Sequence, residues 1–110
     1  MLPAGIATYM EDLTLYEIIK AVNGSYGYPS TEVISEISTD SRKITKGCVF
    51  VALKGENFDG HDYAVKAMEM GAVAVITERA VEGARCIIVD NTEKSLLDLA
   101  SYYRRRFNPI

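Results

Sequence analysis

Asp40-Ser41-Arg42, Lys54-Gly55 and Asp59-Gly60-His61 hold most of the reactive side chains of this sequence, and all fall between Thr39 and His61. Together they set hydroxyl, guanidinium and ammonium groups, with two glycines, on either side of one short apolar run. Such a set suits a phosphorylated ligand. The Ser41 hydroxyl and nearby backbone N–H groups can donate to phosphate oxygens, and Arg42 can offer a bidentate, charge-assisted pair. Asp40 cannot face a phosphate usefully, so its role there is to orient Arg42 or to satisfy loop N–H groups. The plainer alternative is a turn fixed by Asp40 and capped by Ser41, with Arg42 in solvent.

Lys54 supplies a compact positive charge, and Gly55 allows a ligand close to the backbone; both also suit an ordinary strand exit. Asn57 offers an amide, and Phe58 either a stacking surface or a core side chain. Asp59-Gly60-His61 can form a tight turn into a helix, with Asp59 accepting backbone hydrogen bonds. His61 is the sole histidine, and no Ser or Cys nucleophile with an orienting partner accompanies it. Helix entry or ligand positioning is therefore expected of His61, and no catalytic residue is assigned. A strand of about six residues spans only ~20 Å, so the two polar groups can line different parts of one elongated ligand.

Composition narrows the partners. With 110 residues and 48% hydrophobic content, the chain suits one domain with a real core. A net charge of -3 gives little attraction to nucleic acid or an anionic membrane, while local Arg and Lys still admit a phosphorylated small molecule. Arg104-Arg105-Arg106 is the densest basic run and reads as the last turn of a helix, where cations offset the dipole. Its other use is a docking face for an acidic protein, in a domain that is not an enzyme. No apolar run approaches the ~20 residues of a membrane span, and no secretory signal pattern opens the chain.

Cys48 and Cys86 lie in apolar, strand-like segments and read as buried free thiols. With one histidine they make no metal-ligand spacing, so a cytoplasmic domain without a metal is expected. Neither a G-x-x-x-x-G-K-[ST] phosphate loop nor a strand followed by G-x-G-x-x-G occurs. ATP chemistry is therefore not assigned to the residues present.

The positioning elements alternate. Thr14 and Glu17 form a capping box for a helix burying Leu15, Ile18, Ile19 and Val22, stopped at Asn23-Gly24. A turn or short edge strand follows before Glu36, anchored by Ile34 and Ile37. Val49 to Leu53, Val73 to Ile76 and Cys86 to Val89 read as buried strands. A helix from His61 or Asp62 to Gly71 and another from Asn91 or Thr92 complete the pattern. This order predicts an α/β fold with a small mixed or mostly parallel sheet and flanking helices.

Asp40-Ser41-Arg42, Gly47-Cys48-Val49-Phe50-Val51-Ala52-Leu53-Lys54-Gly55, Asp59-Gly60-His61-Asp62-Tyr63 and Gly71-Ala72-Val73-Ala74-Val75 together closely resemble the N-terminal domain of the Mur ligases. Phe107-Asn108-Pro109-Ile110 resembles the bridge to that family's central ATPase domain. The resemblance covers Leu13 to Ile110. It implies a UDP-substrate-binding domain over 13–107, a variable leader over 1–12, and the start of a linker at 108–110. Leu53 to His61 and Tyr102 to Pro109 are most similar to the branch that adds D-alanyl-D-alanine to UDP-N-acetylmuramoyl-tripeptide. The branch adding the third amino acid is the alternative.

The same resemblance implies UDP-N-acetylmuramoyl-peptide as partner, held near Ser41, Arg42 and the Lys54–Phe58 loop. It also implies a full enzyme in which ATP phosphorylates the peptide carboxylate and the incoming amine attacks the acyl phosphate. ATP and Mg would belong to a central domain, and the incoming dipeptide to a C-terminal one. No cofactor is expected in the present chain, which should be inactive alone.

Overall fold

Thr14 starts the first element as its sequence dictates. In the computed structural model, which describes residues 13–27 and 31–107, α1 (Leu15–Val22) opens on a complete capping box. Thr14 Oγ1 accepts from the Glu17 N–H at 3.2 Å, and Glu17 Oε1 accepts from the Thr14 N–H at 2.9 Å. The helix stops differently from the expectation. Asn23, not Gly24, takes the left-handed conformation (φ 55°) and returns its N–H to Ile19 and Lys20 carbonyls. Gly24 is required for packing instead, since a Cβ there would lie 2.5 Å from Ile87 Cγ2.

Four strands follow: β1 (Ile37–Ser38), β2 (Val49–Val51), β3 (Ala74–Thr77) and β4 (Cys86–Ile88). They pair in sequence order, and every pair is parallel. Parallel strands are covered on both faces, which accounts for their continuous apolar composition. Val49, Val51, Ala74, Ile76 and Ile87 face one core with Leu15, Ile18 and Leu99, beneath α1 and α3 (Thr92–Phe107). Phe50, Ala52 and Val75 face the other with Ala64 and Ala67 of α2 (Ala64–Glu69). The alternation of Val49, Phe50 and Val51 between two cores is the period of two that a strand imposes.

The observed strands end slightly earlier or begin later than the sequence reading, and the edge strand lies at Ile37–Ser38 rather than before Glu36. Ile34 and Ile37 are both fully buried, as anchors of that edge. Cys48 is a buried free thiol; Cys86 is free but only half-buried, a correction to the expectation of two buried thiols. Its sulfur sits within weak hydrogen-bond reach of Val81 and Ala84. The leader at 1–12 and the linker at 108–110 lie outside the described residues. Among the described residues, no helix is long and apolar enough to cross a membrane.

Because all four strands run the same way, their carboxyl ends gather on one rim. Asp40 follows β1, Lys54 follows β2, Glu78 follows β3 and Asn91 follows β4. In open α/β sheets this rim is where ligands bind.

Candidate functional site

Ser38 builds the first wall. The residue is only 2% exposed, and its hydroxyl accepts from the Asp40 N–H at 3.2 Å and lies 3.1 Å from the Asp40 carbonyl oxygen and 3.3 Å from that of Lys43. The chain leaving β1 is thereby folded into a turn, closed by the Lys43 N–H on the Asp40 carbonyl at 2.9 Å.

On that turn Asp40 holds Arg42. Its Oδ1 accepts from the Arg42 backbone N–H (2.9 Å) and Nε–H (3.0 Å), and its Oδ2 accepts from Nη2–H (3.1 Å). The guanidinium hydrogen bond, then the backbone one, draws the Asp40 carboxyl down from 3.8 to about 2. Arg42 remains 86% exposed along its side chain despite the clamp. One edge of the guanidinium is thus fixed, and its remaining donors are directed outward.

The second wall is aromatic. Phe58 and Tyr63 stack with ring centroids 5.6 Å apart and planes 20° from parallel. Both rings remain substantially exposed, Phe58 at 43% and Tyr63 at 39%. Phe58 is therefore a surface ring and not a core residue. With Thr39, Asp40, Ser41 and Arg42 the two rings line an open cleft of about 480 Å³. An exposed apolar pair beside a fixed cation and a hydroxyl suits a ligand with a flat ring at one end and an anionic group near it.

Lys54, Gly55 and Asn57 are exposed on the adjoining loop and are not among the residues lining this cleft. The backbones of Lys54 and Asp59 pair across the loop as an isolated antiparallel bridge, and the Gly55 N–H donates to the Phe58 carbonyl at 2.7 Å. The glycine on which this loop depends is Gly60. A Cβ there would meet Leu53 N and O at 2.8 Å and Ala52 Cα at 2.9 Å, whereas at Gly55 the nearest atom is 4.0 Å away.

Below the rings lies a polar hub. Asp59 caps the 3-10 turn Gly60–Tyr63, accepting from the His61 N–H at 2.9 Å and contacting His61 Nδ1 at 2.7 Å. The imidazole is fully buried, and its Nε2 accepts from the Glu78 N–H at 2.9 Å. Both ring nitrogens are therefore committed within the protein. Glu78 Oε2 in turn accepts from the Thr92 N–H (2.9 Å) and hydroxyl (3.3 Å) at the start of α3. Backbone N–H groups, of His61 for Asp59 and of Thr92 for Glu78, are the first cause holding each carboxyl below its ordinary value. Arg79 adds an ion pair to Asp59 at 3.5 Å.

Ser38, Glu78 and Arg79 were not singled out by sequence, and Tyr63 was named only within the Asp59–Tyr63 stretch, with no role at the site. Ser38-Thr39-Asp40 carries a local signal, since a Ser hydroxyl readily serves the backbone two residues ahead. Glu78 and Thr92 carry none, being fourteen positions apart.

The chain is thus a three-layer parallel α/β unit with an aromatic and arginine-lined cleft at its carboxyl rim, and comparison with known proteins identifies its kind. The profile described as Mur ligase family, catalytic domain, matches residues 33–104. The chain belongs to the Mur ligase family. It is 38% identical over 96 residues to the UDP-N-acetylmuramoyl-tripeptide–D-alanyl-D-alanine ligase of Bacillus subtilis, covering 82% of this chain and 21% of that protein. It is 37% identical over 93 residues to the UDP-N-acetylmuramoyl-L-alanyl-D-glutamate–2,6-diaminopimelate ligase of Listeria monocytogenes, covering 83% and 19%. Its fold superposes on a crystal structure of MurF from Acinetobacter baumannii with a TM-score of 0.81 at 29% identity, covering 87% of this chain and 22% of that one. The chain thus spans about a fifth of the length of the relatives it matches.

Proposed function

We propose that this chain is the UDP-muramoyl-peptide-binding domain of a cytoplasmic, ATP-dependent ligase that adds D-alanyl-D-alanine to UDP-N-acetylmuramoyl-tripeptide in peptidoglycan synthesis. The observation that carries the reading is the cleft, in which the Phe58–Tyr63 stack faces the same space as Ser41 and the clamped Arg42. The rings offer a stacking surface for the uracil, worth ~1–3 kcal/mol by analogy with base–aromatic stacking. Arg42 and Ser41 offer donors to the diphosphate. Lys54 and Asn57, on the adjoining loop, are proposed to meet the substrate beyond the nucleotide. Asp40 and Asp59 hold the two walls, Gly60 permits the loop to close on Leu53, and Gly55 serves as a loop residue.

The glycine-rich phosphate loop that would cradle ATP is missing from the sequence. The energy-consuming step is accordingly proposed to lie in further domains of a longer protein, with 13–107 as its first domain and the present chain inactive alone.

A second reading, the ligase that adds the third amino acid, is favoured by the nearly equal identity to the Listeria relative. Calorimetry with UDP-N-acetylmuramoyl-tripeptide tests the binding claim: saturable heat supports it, and none at millimolar ligand with a folded chain contradicts it. In the longer protein, incorporation of D-alanyl-D-alanine rather than diaminopimelate separates the two ligases.

A further inference from the structure

We propose that His61 is a positioning residue, a neutral Nδ1–H imidazole that ties the aromatic wall of the cleft to the end of β3 and, through Glu78, to the start of α3. The inference rests on the reading of the cleft as the nucleotide site and extends it to how that site is held. Glu78 N–H can only donate, so His61 Nε2 must be the bare nitrogen, and the ring proton sits on Nδ1 facing Asp59 Oδ1. The ring is enclosed, and Asp59 and the Glu78 backbone satisfy both its nitrogens.

Position in the chain makes this tie functional. His61 lies inside the five-residue step from Phe58 to Tyr63, so the path between the two stacked rings runs through the segment it anchors. Asp59 fixes that segment from its exposed side, while the imidazole pins it from below to the strand that precedes Glu78. Glu78 then passes the link to Thr92. The charged groups around the ring are Asp59 on its own loop, Glu78 at the end of β3, Arg79 paired with Asp59, and Lys54, which acts on Glu78.

His61 is the single histidine, so a chain with an isotope-labelled histidine ring reports this residue alone by NMR. The expected spectrum is that of the Nδ1–H tautomer; an Nε2–H tautomer overturns the proposal. Two substitutions then divide the tie. His61→Gln carries a carbonyl oxygen that reaches the Glu78 N–H, whereas the amide of His61→Asn is too short to do so. Both keep the backbone N–H that Asp59 caps.

His61→Asn is expected to lose the through-space NMR contact between the Phe58 and Tyr63 rings and to weaken UDP about tenfold, the loss equivalent to one hydrogen bond. His61→Gln is expected to restore the ring contact and to stay within about threefold of the parent affinity. A folded His61→Asn chain with parental ring contact and affinity overturns the proposal. Should His61→Asn fail to fold, the parent tautomer and the His61→Gln chain still decide: an Nε2–H tautomer, or a folded His61→Gln chain that loses both the ring contact and the affinity, overturns the proposal. If the parent chain itself does not bind UDP, the nucleotide assignment of the cleft fails, while the tautomer and ring contact still decide the role of His61.

Discussion

Gly60→Ala separates close backbone packing from conformational freedom as the reason for glycine in the Asp59–His61 turn. The added Cβ would stand 2.8 Å from Leu53 N and O and 2.9 Å from Ala52 Cα, all backbone atoms that cannot rotate away. Reaching ordinary contact near 3.4 Å requires the turn to withdraw by about 0.6 Å. That movement acts on the 2.6 Å hydrogen bond from the Gly60 N–H to the Leu53 carbonyl. Overpacking of this kind costs ~1–3 kcal/mol, and a weakened backbone hydrogen bond adds about 1 kcal/mol. At roughly 4–8 °C per kcal/mol for a domain of this size, the ~2–4 kcal/mol together should lower Tm by roughly 10–30 °C. Thermal unfolding followed by circular dichroism provides the readout. Gly55→Ala is the control, because its Cβ meets nothing closer than 4.0 Å, and its Tm should move by less than about 3 °C. A Gly60→Ala chain as stable as the Gly55→Ala chain would refute the packing argument.

Phe58→Ala should weaken UDP by about tenfold or more in calorimetry, from loss of a stacking surface; parental affinity would remove the rings from the site. The Asp40 carboxyl should titrate at about 2 rather than 3.8. Since the folded value is the lower one, the clamp on Arg42 is complete above about pH 4 and opens as pH falls toward 2. NMR titration of the Asp40 carboxyl and Arg42 Nε–H reads this directly, and ordinary titration near 3.8 would contradict the clamp. Burial pushes the Cys48 thiol up, whereas Cys86 is half-buried; a thiol reagent at about pH 8 should therefore label one cysteine quickly and the other only on unfolding. Equal rates would count against that difference. Thr14→Ala removes the α1 capping box and should cost about 1 kcal/mol in denaturant unfolding; an unchanged midpoint would deny the cap its role.

Local patterns were the legible part of this sequence. Thr14 and Glu17 are three residues apart and act on each other, so the cap could be read directly. The apolar runs around Val49, Val75 and Ile87 announced buried strands because parallel strands show apolar residues to both faces. The edge strand was legible only as a turn or short strand before Glu36 and not at its actual place, Ile37–Ser38, since two residues of sheet carry no period. At the site, Asp40-Ser41-Arg42 was visible as a polar cluster, and its chelated geometry follows from contacts two residues apart. The cleft's other wall was only half visible. Phe58 meets Tyr63 because a 3-10 turn intervenes, and neither that turn's rotation nor the Glu78 contact seventeen residues from His61 is encoded in spacing alone.

The most direct measurement of the nucleotide assignment is backbone and side-chain NMR of the isotope-labelled chain during titration with UDP-N-acetylmuramoyl-tripeptide. Saturable shifts centred on Asp40, Ser41, Arg42, Phe58 and Tyr63 are the expected result. Shifts confined to the Arg104–Arg105 end of α3, or none at millimolar ligand, would contradict it.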